Sequence, residues 1–385
     1  MMNIAVIGAG NRARKYLSCL PEEIYVACIV EPDSLRLSST AELYGVPASG
    51  CFTSIVEFFS VPRDVEAVIV AKPDRLHVPV ALEAVRHGYH VLLEKPVAQT
   101  LSEYMSLLEA SLSHNVHVGV CLEMRFHPYF RRIKEIVDEG LLGDIVEIDH
   151  TEHIGPDRMA HTFVRGLWSR VEDAGPIFLS KCCHDADFLM WLTGGSVEEV
   201  HSSGVLRKFR MDRAPYGATA RCTDCPVADC PYSAVRLYRE RREWVDGFDV
   251  PPGGDLVDVI DAELLTGRYG RCVYRCDNNV YDTQEVEAAL STGTRLHMHL
   301  EGTSLREGRT TRIIGTKGIL EADGGHIVVP GLIDEDYSHL AGLPLHAGAD
   351  KALVEDFFYA VSSGRAPFAN LSSALEGHRL CFATA

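Results

Sequence analysis

The chain has 385 residues, with 37 basic against 54 acidic, for a formal net charge of −17 at pH 7. That length exceeds one ordinary core and predicts two domains, and the acidic balance, with no basic patch interleaved with aromatics, argues against nucleic acid or an anionic membrane as partner. The first strand pattern starts within three residues of Met1 and no run approaches the ~18 apolar residues of a membrane span. The expectation is a cytoplasmic protein whose 12 cysteines are reduced, so that close cysteine spacings read as metal or catalytic before disulfide.

In chain order, short apolar strands are predicted at 4–7, 24–30, 65–71, 90–93 and 117–121, with helices at 12–20, 34–44, 78–87 and 102–114 between them. The strands are too apolar for a half-exposed sheet, so this is an α/β region with a doubly wound parallel sheet covered on both faces. From residue 125 the rhythm changes. PYFRRIKEIVDEG reads as a helix closing on Gly140, followed by strands at 145–153, 197–206, 284–290, 295–300 and 311–314, with a turn at 291–294. This is an α+β region with a mostly antiparallel, open-faced sheet. The stretch 246–261, rich in Gly, Pro and Asp, reads as loop. Helices return at 349–361 and 371–385, and the last pattern runs to the final residue, which implies a longer native chain. The expected partition is 1–124, 125–345 and 346–385.

AVIGAGNRA joins the first strand to its helix through Gly8-x-Gly10-x-x-Ala13. Gly8 permits the tight turn, Gly10 lets backbone approach a pyrophosphate, and Ala13 allows close helix packing. Phosphate would sit at the helix start near Asn11 and Arg12, where backbone N–H groups favour an anion. The next strand ends at Glu31, about 20 residues on, where an acid binds the ribose hydroxyls. Glu31 would repel a 2′-phosphate and Pro32 offers no cation, so NAD is favoured over NADP. Pro73, His77 and Glu94 to Pro96 also fall beyond strand carboxyl ends, where ligands of such sheets bind. Residues 1–124 therefore read as the NAD-binding domain.

Together VIGAGNRA, VEAVIVAKPDRLHVPVALEAVRHGYHVLLEKPVAQTLSE, RFHPYFRRIKEIVDEGLLGDI and CHDADFLMWLTG resemble the Gfo/Idh/MocA family, which includes glucose–fructose oxidoreductase and inositol dehydrogenase. The resemblance implies an NAD(P)-dependent enzyme acting on a sugar or cyclitol hydroxyl, built from a Rossmann domain and an open-faced sheet domain that commonly forms dimers or tetramers. It assigns Lys95 as the catalytic lysine, whose ammonium would hydrogen-bond the reacting hydroxyl, with partial burial lowering its pKa. It assigns His184 as the acid/base histidine, on a helix face shared with Asp187, Phe188 and Trp191. The family usually has Asp four residues earlier, where this chain has Ser180, beside Lys181. Lys181 either depresses the pKa of His184 as an i,i+3 neighbour or pairs with Asp185 at i,i+4. Arg125, His127, Arg165, Trp168 and Asp187 are the candidate substrate contacts: Arg as a clamp for carboxylate or vicinal hydroxyls, Trp as a platform for a sugar ring. A structural ion pair or core aromatic is the competing reading for each.

RCTDCPVADCPYSA places Cys222, Cys225 and Cys230 in nine residues, a spacing for thiolate ligands of structural zinc or, second, an iron–sulfur cluster. A fourth ligand would come from RCVYRC, Cys272 or Cys276. This kind of insert resembles that of a subset of the family. RLYRERRE offers i,i+4 pairs Arg236–Glu240 and Arg239–Glu243 on a solvated helix, and His297 and His299 share one side of a strand as a polar row. The leading function is hydride transfer from a ring hydroxyl to NAD. The alternatives are a redox glycoside hydrolase, in which transient C3 oxidation drives elimination and hydration, and a non-catalytic cofactor-sensing regulator.

Overall fold

The computed structural model describes residues 1–251 and 253–384. The chain forms two compact units, each discontinuous in sequence. The first comprises Met1–Glu139, Cys183–Gly194 and Tyr337–Phe382; the second comprises Gly140–Cys182, Gly195–Asp336 and the residues after Phe382. The pattern changes at 124 and 345 are thus not the edges of the compact units, because helices from the middle and the end of the chain complete the first.

The first unit holds six parallel strands: β1 Met2–Ile7, β2 Ile24–Val30, β3 Cys51–Phe52, β4 Ala67–Val70, β5 His90–Leu93 and β6 Val118–Val120, in the order β3-β2-β1-β4-β5-β6. Successive side chains alternate between two cores. Ala5, Ile7, Val68, Val70, Val91 and Leu93 enter one, and Ile4, Val6, Ala67, Ile69 and Leu92 the other. Burial on both faces is why these strands read as unbroken apolar runs. Helices Asn11–Leu17, Ser34–Tyr44, His77–Arg86 and Leu101–Ser113 alternate with them. The last is started by a capping box in which Thr100 Oγ1 accepts from Glu103 N and Glu103 Oε2 accepts from Thr100 N, both at 3.2 Å. Helices Ala349–Ser363 and Leu371–Phe382 close the layers: Phe357 and Phe358 enter one core, Leu371 and Ala374 the other.

The second unit is built on eight strands: β7 Ile145–His153, β8 Val197–Val205, β9 Thr283–Leu290, β10 Arg295–Glu301, β11 Gly308–Gly315, β12 Ile319–Asp323, β13 His326–Val329 and β14 Ile333–Asp336. Their order is β14-β13-β12-β11-β7-β10-β9-β8. Only β7 and β10 pair in parallel; the other neighbours are antiparallel. One face buries Ile148, Val286, Leu296, Met298, Leu300 and Ile313. The other carries Glu147, Asp149, Glu285, Glu287, His297 and His299, the expected polar row, with His299 Nδ1 3.1 Å from Glu285 Oε1. Glu147, Asp149 and His297 bring potential ligand atoms within 4.8 Å of one another, and Arg295 lies 3.1 Å from Glu147, an ordinary cluster of matched surface charge.

Two expectations are corrected here. The second half of the loop expected at 246–261 is a helix, Leu256–Leu265, because Asp255 caps it by accepting from Val257 N at 2.9 Å and Ile260 and Leu264 are buried. The pairs Arg236–Glu240 and Arg239–Glu243 do not form. Arg239 reaches Asp261 at 2.6 Å and Arg236 donates to the Ala228 carbonyl at 2.6 Å, so neighbouring chain replaces the local partners. No helix among the described residues is long and apolar enough to cross a membrane.

Gly119 lies in β6 against the helix Ala349–Ser363, and a Cβ there would stand 2.7 Å from the Phe357 ring. Gly119→Ala should lower stability by about 1–3 kcal/mol through overpacking, read as a reduced urea midpoint at unchanged slope.

Candidate functional site

The glycine turn closes the carboxyl end of β1. Gly8 has φ +99°, and an added Cβ would lie 2.4 Å from the Ala71 carbonyl oxygen, so backbone shape and space both demand glycine. Gly10 has the opposite character: a Cβ there would meet nothing within 4 Å, so this stretch of backbone faces open room. It precedes the helix Asn11–Leu17 without a side-chain cap, leaving the first N–H groups available to an anion. Ala13 is fully buried beneath the turn and Asn11 is exposed at its start. Glu31, 5% exposed, ends β2 with its carboxylate fixed by Ala9 N at 2.8 Å and Asp33 N at 3.1 Å. A dinucleotide fits these residues: open backbone for the pyrophosphate and a pre-oriented carboxylate for a ribose diol.

The Arg12 guanidinium turns to partners within its own unit. It donates to Glu94 Oε1 at 2.8 Å, to the Tyr16 hydroxyl at 2.6 Å and to Asp350 Oδ1 at 2.9 Å. Glu94 also accepts from Tyr16 at 2.5 Å and from Lys95 N at 2.8 Å. Burial alone would raise its pKa, but Arg12, Lys95 and the Tyr16 hydroxyl bring it below the usual carboxylate range. His77 lies between the strand-end loops, its Nδ1 2.7 Å from the Pro96 carbonyl oxygen and its Nε2 2.8 Å from that of Lys72. Pro73 begins the turn that leads to it. Glu94 and His77 are thus engaged within the protein and shape the cofactor end through the loops they fix.

Lys95 follows β5, half-buried, at a cis bond to Pro96. Burial opposes its charge, yet Cys183, Glu94, Glu123 and Asp74 outweigh it, and its pKa is raised. Cys183 is itself held neutral, its thiol pushed by burial up to about 12, so near neutral pH the carboxylates carry the effect. The direction is thus opposite to the lowering expected from burial alone. His184, 7% exposed, turns Nε2 to within 3.3 Å of Glu123 Oε1. Glu123 lies just beyond β6, in the turn Glu123–Phe126, and acts on both Lys95 and His184.

His346 stands 4.0 Å from the same Glu123 oxygen and 2.9 Å from Asp350. It lies in a run of three left-handed residues, Leu345, His346 and Ala347 with φ 53°, 47° and 53°, a backbone that costs free energy at each. Glu123, His346 and Asp350 were not legible as site residues. Glu123 sits in an apolar-flanked loop without a motif, and His346 and Asp350 belong to a distant part of the chain.

Four expected substrate contacts have other duties. Arg125, 3% exposed, holds Asp187 in a bidentate pair, both bonds 2.7 Å, and donates to the Ser373 carbonyl at 2.8 Å. His127 caps the helix Pro128–Asp138, accepting from Tyr129 N at 3.2 Å. Arg165, in the second unit, is buried among the cysteine segments, donating to the carbonyls of Arg271 at 2.7 Å and Tyr232 at 2.6 Å. Trp168 is half-buried in the same unit. The Lys181 ammonium is 2.5 Å from Glu152 Oε1, and Arg309 meets the other oxygen of Glu152 at 2.9 Å. Ser180 donates back to the Ile177 carbonyl within its helix.

Comparison with known proteins follows the same outline. Residues 2–121 match the oxidoreductase family profile with an NAD-binding Rossmann fold, and residues 130–239 match the GFO/IDH/MocA C-terminal domain. The oxidoreductase YteT of Bacillus subtilis is 25% identical over 271 residues, covering 68% of this chain and 61% of its own length. The inositol 2-dehydrogenase of Corynebacterium glutamicum is 23% identical over 203 residues, covering 52% and 56%. The chain thus spans between half and two thirds of these curated relatives. An Agrobacterium radiobacter oxidoreductase, solved with NAD+, L-tartaric acid and magnesium, superposes with TM-score 0.70 at 14% identity, covering 99% of this chain and 94% of its own, a likeness of fold.

Arg125→Met should cost about 3–5 kcal/mol in urea unfolding, because it strands the Asp187 carboxylate in the interior. Asp350 has a carboxyl that burial would raise but that His346 and Arg12 hold below its usual value. Its stabilising contribution is present above the unfolded value, about 4, and is lost as pH falls through the lower folded value. The stability gap between wild type and Asp350→Asn should accordingly be full at neutral pH and narrow in acid.

Proposed function

The chain belongs to the GFO/IDH/MocA family of NAD-binding oxidoreductases, and from that premise we propose that it transfers hydride from a ring hydroxyl of a sugar, sugar derivative or cyclitol to NAD. The observation that carries this reading is the presence of Lys95 and the His184–Glu123 pair in the unit that also holds the Gly8 turn and Glu31. The named activity of the inositol 2-dehydrogenase relative supports the substrate class. In the same reading the protein works as a cytoplasmic homodimer or homotetramer.

NAD, when bound, supplies the hydride acceptor. Lys95 donates a hydrogen bond to the reacting oxygen and stabilises the negative charge that grows there as the C–H bond breaks. A lysine whose pKa is raised by neighbouring carboxylates suits this role better than that of a base. His184 takes the hydroxyl proton, and Glu123, 3.3 Å from Nε2, orients the ring and stabilises the imidazolium that forms. Glu123 thereby replaces, from another element, the carboxylate that Ser180 leaves missing on the histidine's helix. Glu31 selects the unphosphorylated ribose.

The test is formation of reduced nicotinamide, followed by its absorbance, with a panel of inositols, sugars and their glycosides, products being identified in parallel. With the substrate so found, Lys95→Ala should reduce turnover by about 10²–10⁴-fold while NAD affinity changes little. His184→Ala should fall comparably, and Glu123→Gln should fall less and displace the pH profile. Full turnover by Lys95→Ala would overturn the mechanism. Glycoside cleavage without net reduction would replace the reading by a redox hydrolase, and cofactor binding without any turnover by a regulator.

A further inference from the structure

The cysteine-rich insert gathers its sulfurs around one point of the second unit. Cys222 and Cys225 bracket a tight turn, with Cys225 N donating to the Cys222 carbonyl at 3.4 Å, and Cys230 follows five residues later. Cys272 arrives from a separate segment, held beside the first by the bridge Arg221–Arg271 and by Cys272 N donating to the Ala220 carbonyl at 2.9 Å. Cys222, Cys225, Cys230 and Cys272 line one small cavity of 40 Å³, together with Arg165 and Tyr232. Cys276 is absent from that lining; its sulfur bonds the Cys272 carbonyl at 3.3 Å.

Arg165 supplies an independent observation. It is 0% exposed, and its bonds go to two carbonyls and, at 3.6 Å, to Cys222 Sγ. Its Nη1 has no hydrogen-bond partner, and no carboxylate of the described residues pairs with it. Tyr232 Oη, on the same lining, is also buried without a partner. A buried guanidinium without a counter-anion is costly. The groups able to take negative charge at this cavity are the thiols, and several adjacent thiolates require a cation of their own.

We propose that Cys222, Cys225, Cys230 and Cys272 bind one zinc ion as thiolates, with Arg165 as counter-cation. On binding, each thiol releases its proton to solvent, four Zn–S bonds form and no electron is transferred. Four thiolates around a divalent ion leave two negative charges, and Arg165 offsets one. The sulfurs form an open ring, no three within 4.8 Å of one another, so loading draws the Cys222 turn onto Cys272. The metal is structural. The insert's own apolar core is limited to Ala234, Leu237, Tyr238, Val245, Ile260 and Leu264, and the ion fixes the loops that this core leaves unsupported.

The experiment is elemental analysis and zinc-edge X-ray absorption on the untagged full chain after exhaustive dialysis. The expected result is one zinc per chain with four sulfur neighbours at about 2.3 Å. Cys225→Ser and Cys272→Ser should lose the metal, Cys276→Ser should keep it, and Arg165→Met should weaken zinc affinity by about 10–100-fold. NAD binding by the other unit serves as the check that each variant is folded. On the wild-type protein, an organomercurial should release the zinc as four thiols react. Metal-free protein from zinc-supplied cells, iron with inorganic sulfide, or loss of zinc in Cys276→Ser but not Cys272→Ser would overturn the proposal.

Discussion

A guanidinium between two carboxylates organises the first unit. Arg12 leaves the first helix and meets Glu94 at the end of β5 and Asp350 near the start of the helix Ala349–Ser363, 2.8 and 2.9 Å away. Three segments far apart in sequence are thereby fixed with respect to one another. The arrangement places Lys95, the residue after Glu94, and through Asp350 it restrains His346. Charges this buried stabilise little by themselves, because desolvation offsets most of their attraction. Their contribution is positional: removing any one would leave the others uncompensated, so the register of turn, strand end and helix is strongly specified.

The electrostatics of the candidate site follow from that frame. Acidic groups outnumber the cations around Lys95, so the ammonium stays charged despite burial, while Cys183 beside it stays neutral because an apolar environment penalises its thiolate. In the proposed reaction the proton would pass to His184, with Glu123 as its carboxylate partner. In that proposal one unit holds both a lysine for the oxygen and a separate group for the proton, a division of labour that suits reversible oxidation of an alcohol.

What could be read beforehand follows the range of the interaction. Parallel strands buried on both faces announce themselves as apolar runs, and β2 and β5 have the bounds their sequences imply. The two residues of β3 are too few for any periodicity, and β12 to β14 are short and interrupted by the glycines at 324 and 325. At the candidate site, Gly8, Gly10, Glu31, Lys95 and His184 stand out in the sequence because the chemistry proposed for them is tied to local spacing. The partners of Arg125 and Arg165 could not be read there for the converse reason. An arginine's partner is set by tertiary contact, and here the partners are Asp187, 62 residues away, and backbone carbonyls 67 and 106 residues away. The position of Glu123 beside His184 has the same origin, a meeting of elements that neither local sequence specifies.

The helix Ala349–Ser363 covers one face of the parallel sheet with Phe357 and Phe358, and Leu371 and Ala374 cover part of the other. A chain emerging from the ribosome therefore exposes the apolar strands of its first unit throughout the synthesis of the second. The sheet can be completed only after the intervening unit has been made. During that interval Ile4, Ile69 and Leu92 lack the aromatic cover they have in the finished molecule.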